Sequence, residues 1–166
     1  MPMSINSKAP ATPAATILPP GAGETHAAMG VTLTFKVVGA DSGGQWLVME
    51  YNAPPNLSGP PPHVHKVTTE IFYVLEGGLA ITANGVTSEL GPGGFAYVPP
   101  GTAHTFANPH DAPAKYLLMA SPAGLELYFA EMMDLLKAEP QWPPKDKGKF
   151  IALMAKYDTF PMEVAE

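Results

Sequence analysis

Residues 59–78 read GPPPHVHKVTTEIFYVLEGG, and this stretch decides how the rest of the chain is read. It holds two histidines two positions apart, His63 and His65, followed by a carboxylate, Glu70. Alternate side chains of a strand share a face, so both imidazoles can point to one place. Glu70 has the wrong parity for the same unbroken strand, so a bend or bulge is expected within 66–69. From Glu70 to Leu75 the run EIFYVL is dense in β-branched and aromatic residues and reads as a strand, ended by Gly77-Gly78.

Residues 93–108, GGFAYVPPGTAHTFAN, supply a third histidine, His104, which must come from another strand. Pro99-Pro100-Gly101 before it suits a tight turn with glycine at the positive-φ position. Three neutral imidazoles and one carboxylate make a donor set for one divalent transition metal ion: Fe, Mn, Co, Ni, Cu or Zn.

The two stretches resemble the cupin superfamily. Its first motif is G(x)5HxH(x)3-4E(x)6G, and here His63, His65, Glu70 and Gly77 fall at its fixed positions. Its second is G(x)5PxG(x)2H(x)3N, matched by Gly93, Pro99, Gly101, His104 and Asn108. The first motif's opening glycine is missing, because position 57 is Leu57; Gly59 and three prolines occupy that approach instead. The resemblance implies an all-β fold, the double-stranded β-helix or jelly-roll barrel. It also implies a metal held by His63, His65, Glu70 and His104. Glu70 would be a fourth ligand, a general base that takes a proton from a bound hydroxyl or enol, or both. The segment 115–132, KYLLMASPAGLELYFAEM, is loosely similar to the quercetin 2,3-dioxygenase-like subgroup in overall pattern.

Outward from the motifs, the chain divides into three parts. Residues 1–28 are rich in Pro, Ala and Thr and read as an extended arm, either a mobile tail or a strap across a neighbouring subunit. Residues 29–121 are expected to form the barrel. VTLTFKVV from Val31, Gln45 to Tyr51, Leu79 to Ala83, Val86 to Leu90, Phe95 to Val98, His104 to Asn108 and Lys115 to Ala120 read as strands. Residues 41–44, DSGG, make a turn, and Asn84-Gly85 is a strong hairpin signal, since both residues tolerate positive φ. Residues 122–166 change to a helical period. Ser121-Pro122 looks like a helix start. Leu125, Tyr128, Phe129, Met132, Met133, Leu135 and Leu136 then form an amphipathic stripe. Glu139-Pro140 ends that helix, and Phe150 to Tyr157 suit a second. Both helices are expected to pack outside the barrel or over one end, with the Met-rich stripe as core or interface rather than substrate wall.

Charged residues are 14% and the net charge is −6, so no basic stripe is available for phosphates and nucleic acid is not an expected partner. There is no cysteine, which excludes disulfides and thiolate chemistry. No apolar run approaches a membrane span, and no basic-then-apolar leader is visible. A cytoplasmic homodimer is expected, without membrane association.

Inward-pointing residues near the ligands would shape a bowl for a small-molecule substrate. Phe72 and Val74 share Glu70's face, and Phe106 shares that of His104. Trp46, Met49 and Tyr51 lie on a neighbouring strand. His26 and His110 fall outside both motifs and read as solvated. An apolar bowl over an open metal site points to a metal-dependent dioxygenase acting on a small aromatic or enolic substrate. The alternatives are a redox-neutral isomerase, lyase or decarboxylase using the metal as Lewis acid, and a non-enzymatic binding protein.

Overall fold

The structure, a computed structural model, describes residues 15–162. Most of the expected arm, residues 1–14, lies outside the described residues. Its last part is a strand: β1 (Glu24–Ala28) pairs antiparallel with β2 (Val31–Val37). The turn between them is built on Met29, at φ 51, followed by Gly30 at φ 82. A side chain at positive φ is uncommon, and methionine gives no hint of it.

The remaining strands are β3 (Leu47–Ala53), β4 (His63–Val64), β5 (Thr69–Glu76), β6 (Leu79–Ala83), β7 (Val86–Leu90), β8 (Phe95–Val98), β9 (His104–Ala107), β10 (Ala114–Ser121) and β11 (Phe160–Pro161). They form two antiparallel sheets, ordered β1-β2-β3-β10-β5-β8 and β11-β4-β9-β6-β7, and the fold is an all-β jelly roll. Asn84 and Gly85 make the β6–β7 hairpin at φ 48 and 80, as their side chains suggest. The DSGG turn is tighter than expected: Gly39–Ser42 form one helical turn, α1, closed by left-handed Gly43.

Register explains the core. Met49, Leu118 and Phe72 face one another across β3, β10 and β5, and Tyr51, Tyr116 and Val74 form the next layer. All six are buried, while their sequence neighbours alternate outward. Met49, Leu118, Phe72 and Val74 each contribute about 1.5–3 kcal/mol by leaving water.

Two helices follow, α2 (Leu125–Ala138) and α3 (Lys147–Lys156). Ser121 does not cap α2; it is the last residue of β10. The cap position is Gly124, and Glu126 does the capping work from inside the helix. Its buried carboxylate accepts from the Gly124 N–H at 2.7 Å and from the Gly39 N–H at 2.9 Å, tying α2 to α1. Among the described residues no helix is long and apolar enough to cross a membrane.

Candidate metal centre

The four motif residues converge. One ligand atom from each of His63, His65, Glu70 and His104 lies within 4.8 Å of the others, and all four residues are buried. His63 and His104 face each other across the β4–β9 pair of one sheet. Glu70 comes from β5 of the other sheet, opposite Ala120 of β10. The parity break falls where expected, in a bend at 66–67, and it carries the chain from one sheet to the other.

Each imidazole is oriented by a backbone carbonyl. His63 Nδ1 meets Pro61 O, His104 Nδ1 meets Thr102 O, and His65 Nδ1 meets Asp158 O, each at 2.9 Å. A carbonyl only accepts, so every Nδ1 carries the hydrogen and donates it. The three Nε2 lone pairs therefore turn inward, toward Glu70. His104 Nε2 is 2.8 Å from Glu70 Oε2, and His65 Nε2 is 3.2 Å from the same oxygen. His65 Nε2 is not aligned for a hydrogen bond and is left as a buried nitrogen without a partner.

Electrostatics agree with that geometry. Burial pushes the His63 pKa down to about 4, helped by neighbouring His104, so this ring is neutral at physiological pH. Burial alone would raise Glu70, but the His104 and His65 imidazoles against its Oε2 hold its carboxyl well below the usual carboxylate range. Burial opposes protonation of His65 too, yet the Glu70 carboxylate beside it raises its pKa. Converging lone pairs and one carboxylate repel each other unless protons or a cation stand between them. A divalent metal ion removes that conflict and gives the orphaned His65 nitrogen a partner, so the donor set fits a metal held by these four residues.

A cavity of about 350 Å³ opens above the ligands. Of the six residues expected to line it, Tyr51 and Phe106 do. Met49, Phe72 and Val74 point inward but are consumed by core packing; Phe72 sits 5.5 Å from the Phe106 ring and 6.1 Å from Tyr116. Trp46 precedes β3 and is 42% exposed, away from the cavity. The expectation that α2 would not contribute to the wall is also corrected. Tyr128, Phe129, Met132, Met133 and Leu136 are buried, as a core stripe should be, and the same face lines the cavity. Trp142 and residues 54–60 complete the rim. Asn108 fixes that rim, its amide donating to Pro54 O and Ala112 O at 2.9 Å each. His26 packs on Phe35 and pairs with Glu24, and His110 pairs with Glu89; neither approaches the centre.

The chain matches the family described as "Cupin domain" over residues 49–120, which contain all four ligands. The chain carries a cupin domain. Curated proteins similar to part of this chain include a probable oxidoreductase, patJ, of Penicillium expansum, 38% identical over 76 residues. The match covers 44% of this chain and 23% of that protein. Quercetin 2,3-dioxygenase of Bacillus subtilis is 41% identical over 44 residues, covering 26% of this chain and 13% of the relative. The chain thus spans only a minor part of these two proteins. Among solved structures, an RmlC-like cupin from Shewanella frigidimarina superposes with a TM-score of 0.55 at 20% identity, covering 63% of this chain and 88% of that one. At that identity the likeness establishes the fold alone.

Proposed function

We propose that this cupin is a metal-dependent dioxygenase acting on a small aromatic or enolic substrate. The observation that carries the reading is a four-ligand centre on the floor of a cavity walled by aromatic and methionine side chains. The metal, when bound, would supply a Lewis acid able to take both substrate oxygen and dioxygen. Tyr51, Phe106 and Phe129 place aromatic rings in the cavity wall, which suits a flat guest. Among the described residues no lysine or arginine lines the cavity, so an anionic tail remote from the metal would find no partner in them. Glu70 is ionised at neutral pH and suits the ligand role; as a base it would have to leave its histidine partners first. The similarity to a quercetin dioxygenase segment supports the same reading.

The test is oxygen uptake by metal-loaded protein on a panel of flavonols and enols. No uptake with any metal would refute the dioxygenase reading. A redox-neutral isomerase, lyase or decarboxylase draws support from Tyr51 and Tyr128. Burial pushes both phenols well above their ordinary pKa, so each stays a neutral hydroxyl on a mostly apolar wall. Turnover without oxygen, with zinc bound, would select it. Tight ligand binding without product under either condition would select a binding protein.

The same reading has the chain act in the cytoplasm as a homodimer, without nucleic acid or membrane. The net charge of −6 supports the absence of a nucleic-acid partner. Tyr73, Phe95 and Tyr97, exposed side by side on β5 and β8, support pairing of two copies.

A further inference from the structure

We infer that Asp158 is a positioning residue for the metal centre, holding His65 and the 66–68 bend in the geometry that lets His65 and Glu70 converge. This rests on the metal-site reading above. Asp158 follows α3 at φ 55, and it grips the ligand loop twice. Its main-chain oxygen takes the His65 Nδ1 hydrogen at 2.9 Å, which fixes the ring's tautomer and tilt. Its carboxylate accepts from three consecutive backbone N–H groups, Lys66 and Val67 at 3.0 Å and Thr68 at 2.9 Å. The Thr68 hydroxyl adds a fourth bond at 2.9 Å.

Those three amides belong to the bend that reverses side-chain parity between His65 and Glu70. They have no ladder partner, because the chain is crossing from one sheet to the other. One carboxylate satisfies all of them, and a carboxylate accepting several N–H groups forms strong, short-range restraints. If it is removed, the bend must turn its amides to water, and the two ligands on either side of it move relative to each other. The residues after Asp158 hold the grip in place. Phe160 and Pro161 pair as β11 with Val64 and His63, and Met162 N–H donates to Pro62 O at 2.8 Å. Asp158 lies outside residues 49–120, so the family match does not include it.

The test compares wild type, Asp158→Gly and Asp158→Asn. Glycine keeps the positive φ and the main-chain oxygen but loses the carboxylate; asparagine keeps one acceptor oxygen. Metal-free proteins are titrated with cobalt(II) against a competing chelator. The visible d–d spectrum is recorded, and thermal unfolding of the metal-free forms is measured in parallel. The His65 partner oxygen is kept and only the loop's support is lost, so weakening toward the lower end of the about 10–100-fold typical of outer-shell changes, with a changed cobalt spectrum, is expected for Asp158→Gly. Asp158→Asn should fall between it and wild type. A merely structural role would lower the unfolding temperature and leave affinity and spectrum as in wild type, which overturns the inference. If Asp158→Gly does not fold, the asparagine variant decides: wild-type affinity and spectrum there overturn it equally. A wild-type protein that takes no cobalt removes the metal reading itself, a failure distinct from a variant that matches wild type.

Discussion

Gly59→Ala should be among the most damaging single-methyl additions in the chain. Gly59 sits at φ +71 in the cavity rim, and a Cβ there would overlap the Phe106 carbonyl oxygen and crowd its carbonyl carbon. Two costs add. Forcing an L side chain into the left-handed region costs about 1–2 kcal/mol. Overpacking against backbone that cannot swing away costs about 1–3 kcal/mol more. Gly85→Ala separates them: Gly85 has φ +80 and nothing near its missing Cβ, so it carries only the first cost. Both substitutions restrict the unfolded chain alike, so that contribution cancels in the comparison. At about 2–4 °C per kcal/mol for a chain of this size, Gly59→Ala should melt roughly 2–12 °C below Gly85→Ala. Differential scanning calorimetry of the two metal-free variants measures this directly. Equal melting temperatures would refute the close-approach reasoning, and with it the view that Gly59 stands in for the glycine missing at Leu57.

The other expectations concern the centre and its surroundings. His104→Ala removes a ligand and should weaken metal binding by more than the about 100-fold that losing an outer-shell partner can cost, whereas Glu70→Gln should retain much of the metal and lose turnover; elemental analysis with steady-state rates checks both. Met132→Trp narrows the cavity from its α2 wall and should raise KM for a bulky aromatic substrate about 10-fold or more, with cobalt affinity unchanged in a chelator titration. Glu131 joins α2 to α3 through Lys156 and the Tyr157 hydroxyl, which hold its carboxyl below the ordinary 4.5. A depressed carboxyl stabilises above its unfolded pKa. The melting-temperature gap between wild type and Glu131→Gln should therefore be full above pH 4.5, close as pH falls through the lower folded value, and shrink in high salt. Tyr97→Lys should leave the fold intact and shift light-scattering mass from two copies toward one; a wild type already monomeric would dispose of the dimer.

The cluster able to hold a metal was legible because its information is local. A two-residue spacing, a bend and a turn place His63, His65, Glu70 and His104, and each device is written in adjacent residues. The same holds for β6, β7 and β8, where alternation and Asn84-Gly85 suffice. The cavity was legible only in part. Alternation separates inside from outside, yet it does not say which inward residues meet empty space, so Phe72, Val74 and Met49 read like Tyr51 and Phe106. Periodicity marked the α2 stripe as buried, but whether it covers core or cavity depends on how the helix lies on the barrel. Asp158 was invisible. Its neighbour β11 is two residues long and half proline, and an aspartate at positive φ has no pattern until its distant amide partners are known.

The place of β11 also sets an order of events in time. In the five-stranded sheet β4 lies between β9 and β11, and its outer neighbour arrives only with residues 160–161. A nascent chain halted before that point would display His63 on an open sheet edge, with unpaired main-chain groups beside it. Its His65 ring would be free to rotate, since the carbonyl that orients it belongs to Asp158. Under the metal-site reading, the four residues reach their final mutual geometry only once residues 158–161 have folded back onto β4.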